Sequence, residues 1–388
     1  MTPSARVQAA IELLDEVIAS ARDNGPPADQ LVTRYFKTRR YAGSKDRRAV
    51  RELVFRAIRA FGERPATGRA ALLGMGIEDA LFDGSAHGPA AIREGEPRAQ
   101  GSLLPTWIIP ELSSHVAEAE WPALLERAPL DLRVNAAKAT RDAMTSHFDG
   151  ATPTPISPWG LRLPSDSPVE QDPAFVDGRV EVQDEGSQLI ALACDATDGQ
   201  RILDLCAGAG GKALALAAAA PGGIILGTDT NRTRLSQLAP RAERAGAAID
   251  TMLLDGGREA KQLAALEGQF DTVLVDAPCS GSGTWRRNPE GRWRLTDRRL
   301  ADLEAIQARL LDLAAPLVKA GGKLVYATCS ILSREGAGQA KAFLGRHSGW
   351  SAQDVPQVGG RIDGVGRLLT PGHDGTDGFF VARFGKPC

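Results

Sequence analysis

Val7, Ile11, Leu14, Val17 and Ile18 recur at three- and four-residue steps, and so do Val50, Leu53, Val54, Ala57, Ile58 and Phe61. That spacing gathers apolar side chains on one helical face, so each segment needs a partner to cover it. Asp46, after the turn-like Ala42-Gly43-Ser44, reads as a cap for the second helix. From Gly62 to Gly101 the chain turns to glycine, alanine and short polar residues, with short helices expected at 70–73 and 77–81. Further short helices are expected around 104–112 and 118–126, broken by Pro110 and Pro122. An all-helical N-terminal domain is thus placed at residues 1–128.

Beyond it the period changes. Residues 132–134 and 160–164 read as strands and 138–148 as a helix. Phe175-Val176, Asp177-Gly178 and Val180–Val182 read as a β-hairpin, because Asp-Gly between extended residues suits a tight turn. Residues 129–184 form a small mixed α/β subdomain on this reading, followed by a helix at 188–193. From about 198 apolar strands alternate with helices: strands at 201–206, 224–229, 249–254, 271–277 and 323–329, with helices at 232–245 and 300–318. This alternation predicts a doubly wound α/β sheet covered on both faces, in a domain spanning 185–388. Residues 379–384 add an edge strand.

Composition changes this picture little. The 388 residues carry 46 Lys plus Arg against 48 Asp plus Glu. Five cysteines without a Cys-x-x-Cys pair do not form an oxidised framework, which points to a reducing, cytoplasmic compartment. No stretch of 18 apolar residues occurs, so neither secretion nor membrane spanning is expected. Charge is uneven, however. Between Arg34 and Arg59 lie ten basic residues, Arg39, Arg40, Arg47 and Arg48 among them, against Asp46 and Glu52 alone. Such a cluster can attract a phosphate backbone.

The candidate chemistry sits at strand ends. Cys206-Ala207-Gly208-Ala209-Gly210-Gly211-Lys212 follows the first strand of the sheet and opens a helix, where glycines permit close approach of a ligand to the backbone. Its spacing is neither a dinucleotide fingerprint nor a phosphate-binding loop. Asp229 ends the second strand, where a carboxylate can accept hydrogen bonds from a ribose; Asp255 follows the third and Asp276 ends the fourth. Acids so placed repel a pyrophosphate and suit a sulfonium, which favours S-adenosylmethionine over a dinucleotide. The histidines and cysteines show no metal-ligand spacing, so no metal is expected.

Cys279, in Asp276-Ala277-Pro278-Cys279-Ser280-Gly281, and Cys329, in Thr328-Cys329-Ser330, follow the fourth and fifth strands. Adjacent parallel strands lie about 4.8 Å apart, so both thiols can reach one crevice. Two thiols there suit covalent catalysis on a pyrimidine: a thiolate added to C6 of cytosine makes C5 enamine-like and able to take a methyl group. A redox pair is disfavoured, since no Cys-x-x-Cys helix start exists.

These motifs, with Arg133-Val134-Asn135, Gln183-Asp184-Glu185-Gly186-Ser187 and Gly375-Thr376-Asp377-Gly378-Phe379-Phe380, resemble the RNA cytosine-5 methyltransferases of the RsmB/NOP/NSUN (Fmu, Sun) family from about residue 130 to 384. The resemblance implies a class I, Rossmann-like methyltransferase fold with S-adenosylmethionine as cofactor. It implies Cys329 as nucleophile, Cys279 as the thiol that assists product release, and Asp276 as the residue that orients cofactor and base. Residues 206–212 become the cofactor loop, Asp229 the ribose ligand and Asp255 a neighbour of the adenine. Two departures stand out. Ala209 replaces the usual loop proline, and Glu335 is followed by Gly336 where the family often has Glu-Asn, which puts a supporting contact in doubt.

Residues 283–299 carry six arginines around Trp285 and Trp293, a mixture suited to stacking and phosphate contact, with Arg286 and Arg287 nearest the Cys279 loop. The N-terminal helices resemble a NusB-like RNA-binding domain, which implies ribosomal RNA or a ribosomal precursor particle as partner of a monomeric enzyme. Alternatives are transfer RNA as substrate, methylation of a small molecule or protein, and a noncatalytic RNA-binding or ribosome assembly factor.

Overall fold

Helix α1 (Pro3–Arg22) starts where the Thr2 hydroxyl accepts the Ala5 N–H, and it buries Val7, Leu13, Leu14 and Val17. In the computed structural model, which describes residues 1–388, this face meets α2 (Ala28–Thr38), α3 (Ser44–Ala60) and α4 (Gly68–Gly74) around Leu31, Val50, Val54, Ile58 and Leu72. Asp46 caps α3 from its first turn, accepting the Gly43 N–H at 3.3 Å, and also accepts Arg6 Nε at 2.9 Å.

The chain divides into two compact units: residues 1–112, 121–126 and 284–297 form one, and residues 113–120, 127–283 and 298–388 the other. The arginine- and tryptophan-rich segment therefore belongs to the helical unit and not, as its sequence position implied, to the sheet. Trp293 is 5% exposed in the helical core and its Nε1 donates to the Phe61 carbonyl at 2.9 Å. Arg292 is 1% exposed and donates to the carbonyls of Ile58 and Leu103, while Arg294 donates to those of Gly25 and Pro26. Trp285 is buried too, at 1%. Neither indole is available to stack on a nucleotide, and this corrects the sequence expectation. Bonding main-chain carbonyls and filling an apolar core gave these side chains better partners than solvent.

In the second unit a small antiparallel sheet contains β1 (Leu130–Val134), β2 (Thr152–Pro153), β3 (Gly160–Leu163) and β4 (Val180–Val182), in the order β2-β3-β1-β4. The expected hairpin at 175–182 is absent. Pro173 at the first helical position and Asp172, whose carboxylate accepts the Ala174 N–H, make Pro173–Val176 a helical turn, and β4 pairs with β1 instead.

The large sheet holds β5 (Arg201–Asp204), β6 (Ile224–Asp229), β7 (Ile249–Leu253), β8 (Phe270–Asp276), β9 (Val318–Thr328), β10 (Ser351–Gln353), β11 (Arg361–Asp363), β12 (Gly366–Leu369) and β13 (Phe379–Gly385). Its order is β11-β12-β13-β9-β8-β5-β6-β7, with β10 also pairing β13. β5 to β9 run parallel and the remainder antiparallel. The strand at 379–385 is not an edge as expected, because β12 and β9 flank it. The 232–245 helix divides into Arg232–Leu235 and Leu238–Ala245, and the long helix runs Asp297–Ala314. No helix is long and apolar enough to cross a membrane.

The Trp293 assignment is testable by stability. Replacing a buried Trp by Ala typically costs about 3–5 kcal/mol, so Trp293→Ala should shift denaturant unfolding by that order, and Trp293→Phe by less. A parental unfolding curve for Trp293→Ala would remove the indole from the core.

Candidate active site

Strand order reverses at β5, whose neighbours β6 and β8 lead to opposite sides of the sheet. Such a switch point opens a crevice at the carboxyl ends of the strands. The loop leaving β5 enters it through Gly208 and Gly210, at φ +56° and +87°, values that an L side chain resists. Asp229, at the end of β6, fixes the loop: Oδ2 accepts the Gly208 N–H at 2.8 Å and Oδ1 the Asn231 N–H at 2.7 Å. Each carboxylate oxygen retains a second lone pair for a ligand hydroxyl. Asp255 lies after β7, exposed, its N–H donating to Gln262 Oε1.

Ala209, where the related loops carry proline, is held by a different device. Arg241 Nη1 donates to the Ala209 carbonyl at 2.6 Å, and its Nη2 donates to Glu181 of β4 at 2.9 Å. Arg241 thus ties the glycine loop to the small sheet.

Asp204, the last residue of β5, opens the Asp204–Lys212 motif in the sequence but carries no role there. Its side chain is buried, and neither carboxylate oxygen has a hydrogen-bond partner. Burial, reinforced by the neighbouring charge of Asp276, pushes its pKa up to about 7. An unpartnered buried carboxylate in the crevice is the feature a cationic ligand would satisfy, so the residues fit S-adenosylmethionine. The available signal was position alone, an acid at a strand's carboxyl end immediately before a glycine loop. Lys212 Nζ donates to Asp276 Oδ2 at 2.7 Å. Burial opposes the Lys212 charge, but Asp276 and Cys329 outweigh it and its pKa is raised.

The parallel pairing of β8 with β9 sets Asp276 opposite Ala327 and brings the two following loops together. Cys279 Sγ and Cys329 Sγ stand 3.4 Å apart. The hydrogen bond to Cys329, then burial, push the Cys279 thiol well above the usual range, so Cys279 keeps its proton. Burial, with Asp204 and Asp276 adding, does the same to Cys206, which makes that third thiol a poor nucleophile. The crevice therefore unites Asp204, Lys212, Asp229, Asp276, Cys279 and Cys329. The basic segment at 284–297 contributes to the helical unit instead.

A bound sulfonium favours ionised Asp204, whereas below about pH 7 the ligand-free protein holds a proton there. Binding then expels that proton, and affinity should rise with pH toward 7, by at most about tenfold per unit, and flatten above it. Calorimetry of S-adenosylmethionine binding at several pH values should show this slope, and Asp204→Asn should lose it. The same slope in Asp204→Asn would assign the proton elsewhere.

Comparison with known proteins agrees with this geometry. A family model described as 16S rRNA methyltransferase RsmB/F matches residues 191–385. Ribosomal RNA small subunit methyltransferase B of Salmonella typhi is 37% identical over 292 residues, which cover 73% of this chain and 66% of the relative, so the chain spans just under two thirds of that protein. The crystal structure of PH0851 shares the fold along the whole chain, with a TM-score of 0.79 at 22% identity, covering 100% of this chain and 99% of that one. That of NSun6 from Pyrococcus horikoshii with SFG has a TM-score of 0.61 at 18% identity, covering 68% of this chain and 92% of that one. With half of its length matched by the family model, the chain belongs to the RsmB/F methyltransferase family.

Proposed function

We propose that this protein methylates C5 of cytosine in RNA, most directly ribosomal RNA of the small subunit, through a covalent bond between Cys329 and C6. The observation that carries the reading is the 3.4 Å approach of two thiols from adjacent strand ends beside the Lys212–Asp276 pair. The matched relative's name supports ribosomal RNA over transfer RNA, and SFG, an analogue of S-adenosylmethionine, in the related structure supports the cofactor.

The groups already described divide most of the steps. Asp204 would balance the cationic cofactor and Asp229 would receive its ribose, while residues 206–212 would shape the loop around it. Bound S-adenosylmethionine supplies an electrophilic methyl group. Cys279 donates its S–H to Cys329, which stabilises the thiolate before attack. Cys329 adds to C6 and pushes the ring electrons toward C5, the atom that takes the methyl group. Asp276, oriented by Lys212, faces the amino edge of the base. Once C5 holds the methyl group, with the methyl–sulfur bond broken and S-adenosylhomocysteine as the leaving group, a water molecule takes the C5 proton; the C5–H electrons reform the C5–C6 double bond, the C6–S electrons return to Cys329, and the Cys279 S–H stabilises the departing sulfur. A small-molecule methyltransferase would need no such thiol pair, and an assembly factor without catalysis would need neither thiol.

RNA is the proposed partner, held in part by the helical unit, with the protein acting as a cytoplasmic monomer on ribosomal RNA or a precursor particle. Of the sequence-selected arginines, Arg39 is engaged with Glu12 and the Tyr35 ring, and Arg47 Nε donates to the Ala42 carbonyl. Arg40 and Arg48 are exposed. They are the better phosphate ligands.

Cys329→Ala should abolish methyl transfer to RNA while leaving cofactor affinity within about twofold of the parent. Cys279→Ala should still attack and then release poorly, leaving a protein–RNA adduct on denaturing gels. Near-normal turnover by Cys329→Ala, or free turnover without adduct by Cys279→Ala, would reassign the thiols. Each phosphate contact to single-stranded RNA contributes about 0.7 to the salt slope of binding, so replacing Arg40 and Arg48 with Gln should lower that slope by about 1.4. An unchanged slope would place the RNA path elsewhere.

A further inference from the structure

Beneath the two thiols lies a carboxylate that the mechanism above does not use. Glu335 is fully buried, in the turn after β9. Its side chain accepts the Ser280 N–H at 2.8 Å, the Ser280 hydroxyl, the Ser330 hydroxyl at 2.6 Å and Gln307 Nε2 at 2.9 Å. Ser280 follows Cys279 and Ser330 follows Cys329, so one carboxylate is bonded to the residue after each thiol. Gln307, from the Asp297–Ala314 helix, also donates to the carbonyl of Pro278 at 3.1 Å, and this fixes the other side of Cys279. Tyr326 Oη in turn donates to the Glu335 carbonyl at 2.6 Å.

This arrangement has the stoichiometry of a built clamp. An ionised carboxylate offers about four acceptor positions, and four neutral donors occupy them. No donor among them is a cation, so the loops are bound by hydrogen bonds of fixed direction instead of by a mobile ion pair. The two loops have other ties: Gly283 N–H to the Cys329 carbonyl at 3.0 Å, the Ser282 and Ser330 hydroxyls at 3.0 Å, and the Ser280 and Ser330 hydroxyls at a longer 3.4 Å; Glu335 accepts from both of the last two and so holds the residues directly after both sulfurs on one group. Gly336 adds no side chain to this network, and Gln307 reaches the carboxylate from a distant helix.

We propose that Glu335 is a positioning residue that holds the attacking and the releasing thiol at a fixed separation, and so sets how fast product leaves relative to methyl transfer. The inference rests on the two-thiol reading of the site. Without the clamp the Cys279 loop can shift while Cys329 still reaches C6. Attack then survives better than release, because release needs the Cys279 S–H within reach of the departing Cys329 sulfur.

The experiment uses the full chain, S-adenosylmethionine and an RNA that the unsubstituted protein methylates at C5. Absence of that activity, or of an adduct with Cys279→Ala, overturns the two-thiol reading and the clamp with it. Given both, Glu335→Gln should keep the parental melting temperature and a cofactor dissociation constant within about twofold, but slow decay of the RNA adduct by about tenfold or more, the effect of losing a hydrogen bond to a charged group. Single-turnover methyl transfer should fall by a smaller factor. In the Cys279→Ala background the same substitution should slow release by no more than about twofold, because the group it positions is gone. Ser280→Ala removes one donor and should give the same pattern at lower amplitude, which keeps the question open to test if Glu335→Gln does not fold. Parental adduct lifetimes in the folded variants, or equal slowing with and without Cys279, would overturn the clamp.

Discussion

Parallel pairing of β8 with β5 on one side and β9 on the other is the constraint on which the site depends. Parallel neighbours end on the same side of a sheet, so the loop after β5, the Asp276–Cys279 turn and the Cys329 turn emerge together although they are separated by scores of residues in the chain. Hydrogen bonds along the strands fix the register, and the register fixes which side chains meet. A shift of one residue in β8 would turn Asp276 away from Lys212 and separate the thiols, since successive strand residues face opposite sides.

The same convergence creates an electrostatic problem that the site uses. Three carboxylates, Asp204, Asp229 and Asp276, approach one another where water is scarce. Asp276 is offset by Lys212 and Asp229 by two backbone N–H groups. Asp204 feels the Lys212 charge without a side-chain hydrogen bond to it, and burial together with Asp276 outweighs that charge, so its proton affinity rises. A buried carboxylate without a partner is expensive in a folded chain, and it is the kind of local cost a binding site carries so that a complementary charge is welcome there. The thiols follow the same logic in reverse. The hydrogen bond with Cys329, then burial, favour the uncharged S–H at Cys279, which leaves a proton able to bond the other sulfur.

The helical unit shows that composition is a poor guide to exposure. Residues 284–297 have the arginine and tryptophan content of a nucleic-acid surface, yet Trp285, Trp293, Arg286 and Arg292 are buried. Guanidinium groups bonded to main-chain carbonyls are structural elements here, as with Arg292 at Ile58 and Arg294 at Gly25. The cationic face left to solvent lies on α3 and the turn before it, at Arg40, Lys45, Arg48 and Arg56.

Much of the sheet was legible in the sequence, because each strand is a short apolar run ended by a glycine, acid or thiol turn. The glycine loop, Asp229, Asp276 and both thiols could be placed at those ends from the sequence, while their roles came from resemblance to the family. The limits were equally physical. Asp177-Gly178 signalled a hairpin, but the cap at Asp172 and the ring of Pro173 gave the preceding residues a helical turn, and pairing with β1 decided the rest. The C-terminal strand looked like an edge because nothing in its own residues reports that β12 will pair with its outer side. Asp204, Arg241, Gln307 and Glu335 are ordinary charged or polar residues in the sequence. Their importance comes from what the fold leaves beside them: an absent partner for Asp204, the Ala209 carbonyl for Arg241, and the two thiol loops for Glu335 and Gln307. Local chemistry determined which residue types stand at the strand ends, whereas only tertiary packing decided which of them are deprived of water and which partners they meet there.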